Sequence, residues 1–532
     1  MDYPVESFSE SERAALAPHF TNLDRPVFAL TGLPETVKGA LFARYSRYPG
    51  TLRRLFLDEF AGDVTADGPG GGEAGPGAER AAQLYERIFL GYGDDSVAQL
   101  GGAHVACEWV SNVMTKVLQR GRMASYLEQS TRYIAYDSQI PEVGGYRYWR
   151  DESLGPEYAA ALDSLFHTYA QSLPRVKAWA AERFPRADGE PEAAHARSVQ
   201  AKALDLLRGL LPAASLSHMG IFASGQAYES LLLRLFASPL PEAREMGAMI
   251  LTELKAVMPS FVQRVERPER GGEWIAYLEQ RGAAAERWAA RLGLDHTRGE
   301  ESAGPSVRLL SVEGSEDDLL CALLFEAAAA SEEDASRAVR AVPPEERAEM
   351  LAELVGERAN RRHRPGRGLE ALRYRFEVVS DYGAFRDLQR HRMLTIQWQS
   401  LSPDLGAGVP HELEQAGVAT DYRRALERSS AEHARLVEVG RPELAPYALC
   451  LGYRIRYVLD LNAREAMHLI ELRSGREGHP GYRAVAHELH AQIAAVHPGV
   501  AAAMRHVDGD VEPRLERILS ELRTHARQGA GT

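Results

Sequence analysis

A chain of 532 residues is too long for one ordinary hydrophobic core and must divide into domains. Hydrophobic residues at 45% and charged residues at 26% exclude a disordered chain and describe a globular one. The formal net charge of −13 argues against a broad nucleic-acid or anionic-membrane surface, so any phosphate must be met by local arginine clusters.

Taken in order, the start at Met1-Asp2-Tyr3-Pro4 lacks a basic segment followed by an apolar one, and no long uncharged apolar run follows. A cytoplasmic protein is expected. Residues 26–48 show helical periodicity, and Gly62 to Gly77 is a Gly/Ala/Pro-rich surface loop. Residues 97–122 read as packed structure leading into the run Gln119-Arg120-Gly121-Arg122. Helical segments are expected through Arg208 and on to Met258. The charged, Gly/Ala-rich stretch ending at Gly299 to Pro305 marks a boundary between domains 1–300 and 305–532.

The second domain opens with Val307 to Val312, short enough for a strand, and Arg375 to Val379 is another. Residues 445–496 read as strongly helical, and a solvated helix is expected from Arg514. Cys107, Cys321 and Cys450 lie far apart without C-x-x-C spacing, so buried reduced thiols are expected. His487 and His490, three apart, lack the H-E-x-x-H spacing and a third ligand; surface histidines and no metal are expected.

One motif occurs twice. Gln119-Arg120-Gly121-Arg122-Met123 through Ser130 aligns without a gap to Gln389-Arg390-His391-Arg392-Met393 through Ser400. Arginines two apart on a turn or strand present planar forks to carboxylate or phosphate. Asn462 and Arg473 are 11 residues apart, about three helical turns, and so share one face. The basic run Arg361-Arg362-His363-Arg364 reads either as a phosphate contact or as a solvated turn.

Arg390-His391-Arg392, followed by seven residues and Ser400, resembles the signature of the flavin-dependent thymidylate synthase (ThyX) family. Glu128-Gln129-Ser130-Thr131-Arg132-Tyr133 resembles the end of that motif, and Asn462-Ala463-Arg464 with Leu472-Arg473 resembles its C-terminal helix. The resemblance implies an α+β fold: two tandem ThyX-like domains, helix-rich, with small antiparallel or mixed sheets. It also implies methylation of deoxyuridylate (dUMP) to thymidylate, with methylenetetrahydrofolate and NADPH as co-substrates and FAD as cofactor. By the same resemblance Glu370, Arg390, His391, Arg392 and Asn462 hold FAD. Glu128, Ser130, Arg132, Arg208 and Arg473 hold the nucleotide, with Arg473 and Ser130 nearest the chemistry, acting by orientation and charge.

The departures from the family pattern are complementary. The first copy has Gly121 for the histidine, Ser224 for the asparagine and Leu235 for the last arginine; the second has Trp398 in the nucleotide loop and Pro446 where the first has Arg208. Two readings follow: one composite site drawing on both halves, or simple decay. The composite reading implies a homodimer that mimics the family's tetramer. A related flavin enzyme on another pyrimidine nucleotide and an inactive flavin- or nucleotide-binding protein are the alternatives.

Overall fold

The computed structural model describes residues 6–45, 48–61, 97–141, 144–294 and 305–529. The loop expected at Gly62–Gly77 lies outside the described residues, as does the boundary segment up to position 304. Two small sheets and many helices make the fold α+β. The sheets are β1 (Gly102–Ser111), β2 (Ala124–Glu128) and β3 (Leu216–Ser224), ordered β1-β3-β2, and β4 (Ser306–Glu313), β5 (Arg373–Asp381), β6 (Thr395–Trp398) and β7 (Arg454–Asn462), ordered β4-β5-β7-β6.

The two copies of the motif sit in the same local design. In each, a strand (β1 or β5) feeds a seven-residue helix (Asn112–Leu118 or Tyr382–Leu388), the motif forms the turn, and a short strand returns (β2 or β6). A later strand (β3 or β7) inserts between those two and leads directly into a helix, Gly225–Phe236 or Ala463–Arg473. Side-chain N-caps start both of those helices: Ser224 accepts from the Ala227 N–H and Asn462 from the Glu465 N–H. The serine standing in for the family's asparagine therefore keeps its capping role.

β3 and β7 correct the sequence reading, which took both regions as helical. The physical signal is a period of two: Ile455, Tyr457, Leu459 and Leu461 are buried while the residues between them are half-exposed. Their antiparallel register against β5 sets Tyr457 beside Val378 and Leu459 beside Phe376, and burying each such side chain contributes about 1.5–3 kcal/mol. The last helix, Ile518–Gly529, is less solvated than expected, because Ile518 packs against the Ala180, Val199 and Leu515 cluster. All three cysteines are free and buried.

By contacts the chain forms two compact units that cut across the sequence boundary. One comprises 1–110, 117–129 and 218–296, the other 111–116, 130–217 and 297–532. The first holds β1-β3-β2, with an apolar core of N-terminal helices around Leu16, Leu41, Leu55 and Phe56. The second holds β4-β5-β7-β6 together with residues 130–217 of the first copy.

Within the second unit, segments of the two copies meet at equivalent positions. Pro212 bridges Cys450, and the flanking Leu451 N–H donates to Leu211 O (2.8 Å) while the Ala213 N–H donates to Leu449 O (2.7 Å). Tyr382 Oη donates to Asn112 O (3.3 Å), and these two also occupy equivalent positions in the aligned copies. Self-pairing of this kind is the mark of an isologous, two-fold contact, here made inside one chain.

Candidate functional site

The motif turn of the second copy starts from a well-capped helix. Asp381 Oδ1 accepts from the Ala384 N–H (2.8 Å), every residue of Tyr382–Leu388 is buried, and the Gln389 N–H closes the last turn on Phe385 O (2.8 Å). His391 follows, buried at 6% exposure. Arg473 Nε donates to His391 Nε2 (3.0 Å), and His391 Nδ1 lies 2.8 Å from Glu465 Oε1. An arginine can only donate, so the neutral ring accepts at Nε2 and carries its proton on Nδ1, facing the carboxylate. Burial pushes the His391 pKa down to about 4, while Glu465, despite its burial, is held at about 2 by hydrogen bonds from His391 and His468.

The first copy supplies the neighbouring arginines. Arg132 makes a two-pronged pair with Asp205, Nε to Oδ1 at 2.7 Å and Nη2 to Oδ2 at 2.6 Å. It also donates to Tyr482 Oη (3.4 Å) and to Glu477 O (3.3 Å), both from the second copy. Arg473 lies over the Tyr482 ring, 5.4 Å from its centroid. Arg208, 4% exposed, approaches Asp387 Oδ2 and Asp381 Oδ1, each at 3.5 Å, and its Nη2 has no hydrogen-bond partner among the described residues. Asp387 also pairs with Arg390 and lies 3.8 Å from Arg473. Burial would raise the Asp387 carboxyl, but Arg390, Arg473 and Arg208 hold it well below the usual carboxylate range.

All these groups belong to the second compact unit. Arg132 and Arg208 of one copy thus join Arg390, His391 and Arg473 of the other in one hydrogen-bonded and ionic network. Sequence reasoning missed Asp205, Asp387, Glu465 and Tyr482. Two signals were available: Asp387 stands three residues before Arg390, where a helix end lets the pair meet, and Glu465 and His468 sit one turn apart on the asparagine-capped helix.

Beside this network is a cavity of about 500 Å³ lined by Asp205, Arg208, Asp381, Tyr422, His479 and Gly481, among others. His479 Nδ1 accepts from the Gly481 N–H (3.0 Å), so Nε2 carries the proton toward Asp205 O (3.3 Å). Burial pushes its pKa down to about 4.

A second cleft brings together Glu370, Asn462, Arg361, Arg364, Met393 and His468. Arg464 Nη1 donates to Glu370 Oε1 (3.2 Å). Arg358 fixes the basic turn there: it forks onto Glu471 (2.6 and 2.7 Å) and donates to the carbonyls of Arg361 and His363. Arg392 is exposed.

The remaining expected residues are less gathered. Ser130 Oγ accepts from the Arg132 N–H (3.2 Å), which shapes the turn presenting that arginine. Glu128 ends β2 in the first unit, where Gln119 Nε2 donates to it (2.9 Å). Trp398 packs its ring against Phe385 at 5.5 Å. His487 and His490 are half-buried rather than on the surface, each satisfied by a backbone carbonyl, Asp508 O and Ala501 O. His391, Glu465 and His468 bring three possible ligand atoms within 4.8 Å of one another. The Arg473 guanidinium bonded to His391 Nε2 occupies that lone pair and places a positive charge beside any cation bound there.

The 532-residue chain is 37% identical over 536 aligned residues to a UPF0159 protein of Chlamydia muridarum, covering 98% of this chain and 99% of that one. It is 32% identical over 527 residues to a UPF0159 protein of Thermoplasma acidophilum, covering 92% and 99%. Among solved structures it aligns with the UMP/dUMP methylase PolB from Streptomyces cacaoi bound with 5-Br dUMP. That alignment has 21% identity and a TM-score of 0.30, over 37% of this chain and 94% of the other. The family model "Thymidylate synthase complementing protein" matches twice, over residues 59–260 and 310–499. The chain therefore belongs to the thymidylate synthase complementing protein family, the flavin-dependent thymidylate synthases, as a tandem duplication of its domain.

Proposed function

We propose that this protein is a flavin-dependent enzyme transferring a one-carbon unit to C5 of a uracil-bearing substrate, at a site built from both copies of its domain. The observation that carries the reading is the continuous network from Arg132 through Tyr482 and Arg473 to His391, which joins the residues each copy retained. Random decay gives no reason for the retained sets to meet.

The residues around the cleft fit a flavin dinucleotide. Arg361 and Arg364 offer guanidinium forks suited to its phosphates, and Glu370 and Asn462 offer an acceptor and an amide for its ring or ribose. Reduced flavin would supply the hydride for the methyl group. Arg390, His391 and Arg392 would border it, with methylenetetrahydrofolate as carbon donor and NADPH as reductant. His391, neutral and fixed by Glu465, would hold Arg473 in place toward the pyrimidine. Arg132, Arg208 and Ser130 would orient the substrate. We further propose that domains 1–300 and 305–532 are the two ancestral units, and that two cytoplasmic chains assemble into a pseudo-tetramer.

Paired binding measurements test the division. Arg132→Gln should weaken pyrimidine binding by about tenfold or more while leaving the yellow flavin complex intact, and His391→Gln should do the opposite. If both variants bind both ligands as the wild type does, the composite site is wrong.

A further inference from the structure

Helix Glu273–Arg291 is poorly covered for its length. None of its residues is buried, although it rests on helix Gly225–Phe236. Trp274, Tyr277, Trp288 and the capping Leu292 are between 50% and 64% exposed. Large apolar side chains gathered in water on one helix mark a contact surface. The helix lies between the two segments that match the family model, 59–260 and 310–499, so it stands outside the family's domain.

The exposed residues follow a coiled-coil spacing. Trp274, Leu278, Arg281, Ala285, Trp288 and Leu292 recur at alternating steps of four and three, which sets them in one stripe. Leu278 is half-buried and the other five are exposed. Reversed, the stripe complements itself. An antiparallel pair centred on Ala283 puts Trp274 against Leu292 of a second chain, Leu278 against Trp288, and Arg281 against Ala285. Arg281 leans over the Tyr277 ring at the edge of the stripe (5.5 Å to its centroid), so its stem can cover the opposed alanine while its charge stays in water. A register seven residues away in either direction would press that cation onto Leu278 or Leu292, and this fixes the alignment. Charge agrees with self-pairing. Glu273, Glu279 and Glu286 are balanced by Arg281, Arg287 and Arg291, so two of these helices do not repel although each chain carries a formal −13.

We propose that helix 273–291 is a docking surface for a second copy of this chain, which it meets antiparallel about Ala283. The proposal goes beyond the composite site and does not depend on it. The three aromatic rings, each about half exposed, offer roughly 75–125 Å² apiece. With the leucines, the two helices bury on the order of 800 Å² in total, the size of a weak contact that forms and dissolves with concentration. A Kd on the order of micromolar follows.

Sedimentation velocity on the full-length protein from about 1 to about 100 μM tests this. The wild-type mass should rise across that range. Trp274→Glu and Trp288→Glu, shown folded by circular dichroism, should each move the rise to concentrations at least about tenfold higher. Crosslinking reads the register: Arg281→Cys and Ala285→Cys proteins, mixed and mildly oxidised, should form an interchain disulfide that neither forms alone, since the native cysteines are buried. A mass that stays constant, or that rises alike in wild type and variants, overturns the proposal and leaves the composite site standing. A mixture that does not crosslink, or Ala285→Cys protein that crosslinks by itself, overturns the antiparallel pairing.

Discussion

Arg358 offers the sharpest test of the energetics around the cleft at Glu370 and Asn462. Its guanidinium and the Glu471 carboxylate are 5% and 0% exposed and form two parallel hydrogen bonds, at 2.7 and 2.6 Å. Replacing Arg358 with Met removes the cation and leaves Glu471 buried with one backbone donor, the His506 N–H at 3.3 Å. Breaking a buried pair from one side costs about 3–5 kcal/mol, because the surviving charge loses its compensation. The same change frees the carbonyls of Arg361 and His363, so the basic turn loses its anchor. Removing both charges, as in Arg358→Met with Glu471→Leu, should recover most of that loss, since well-packed apolar groups replace a buried pair at little net cost. Urea unfolding of the wild type, both single variants and the double variant gives the cycle. Single variants within about 1 kcal/mol of the wild type, or a double variant worse than the sum of the singles, would refute the assignment of this pair as buried and coupled.

Acid should weaken the fold before the carboxylates titrate. His391 and His479 are both pushed down to about 4 by burial, below the ordinary value of 6.5. Between those limits the unfolded chain binds protons that the folded one does not, so stability falls as pH drops from 6.5 toward 4. The slope approaches about 1.4 kcal/mol per pH unit for each histidine, and His391→Gln and His479→Gln should each flatten it in denaturant midpoints. A midpoint constant from pH 6.5 to 4.5 would contradict this. A separate loss is expected at lower pH as Glu465, held at about 2, is protonated below its unfolded value of 4.5. Gly209→Ala should destabilise by about 1–3 kcal/mol, because a Cβ there would meet Tyr422 Oη at 2.0 Å and Gly452 Cα at 3.3 Å; an unchanged melting temperature would show that the wall of the cavity yields.

Much of this molecule was legible in one dimension. The repeated arginine motif, the asparagine-capped helix and the α+β class depend on local spacing and on residue chemistry that any reader of the chain can see. Strands β4 and β5 were legible at Val307–Val312 and Arg375–Val379, whereas β7 was taken as helical, since RIRYVLDLN is short and flanked by helical periodicity; its alternation is decisive only once its partners in the sheet are known. The complementary losses in the two copies could be read, but not that the survivors meet. Whether Arg132 and His391 share a network depends on how segments some 260 positions apart pack, and that is set by the two-fold pairing of Pro212 with Cys450 and of Asn112 with Tyr382. Least legible were Asp205 and Asp387. An aspartate on a helix is ordinarily a solvated charge, and only burial beside arginines, Arg132 for Asp205 and Arg208 with Arg390 for Asp387, makes it part of this network.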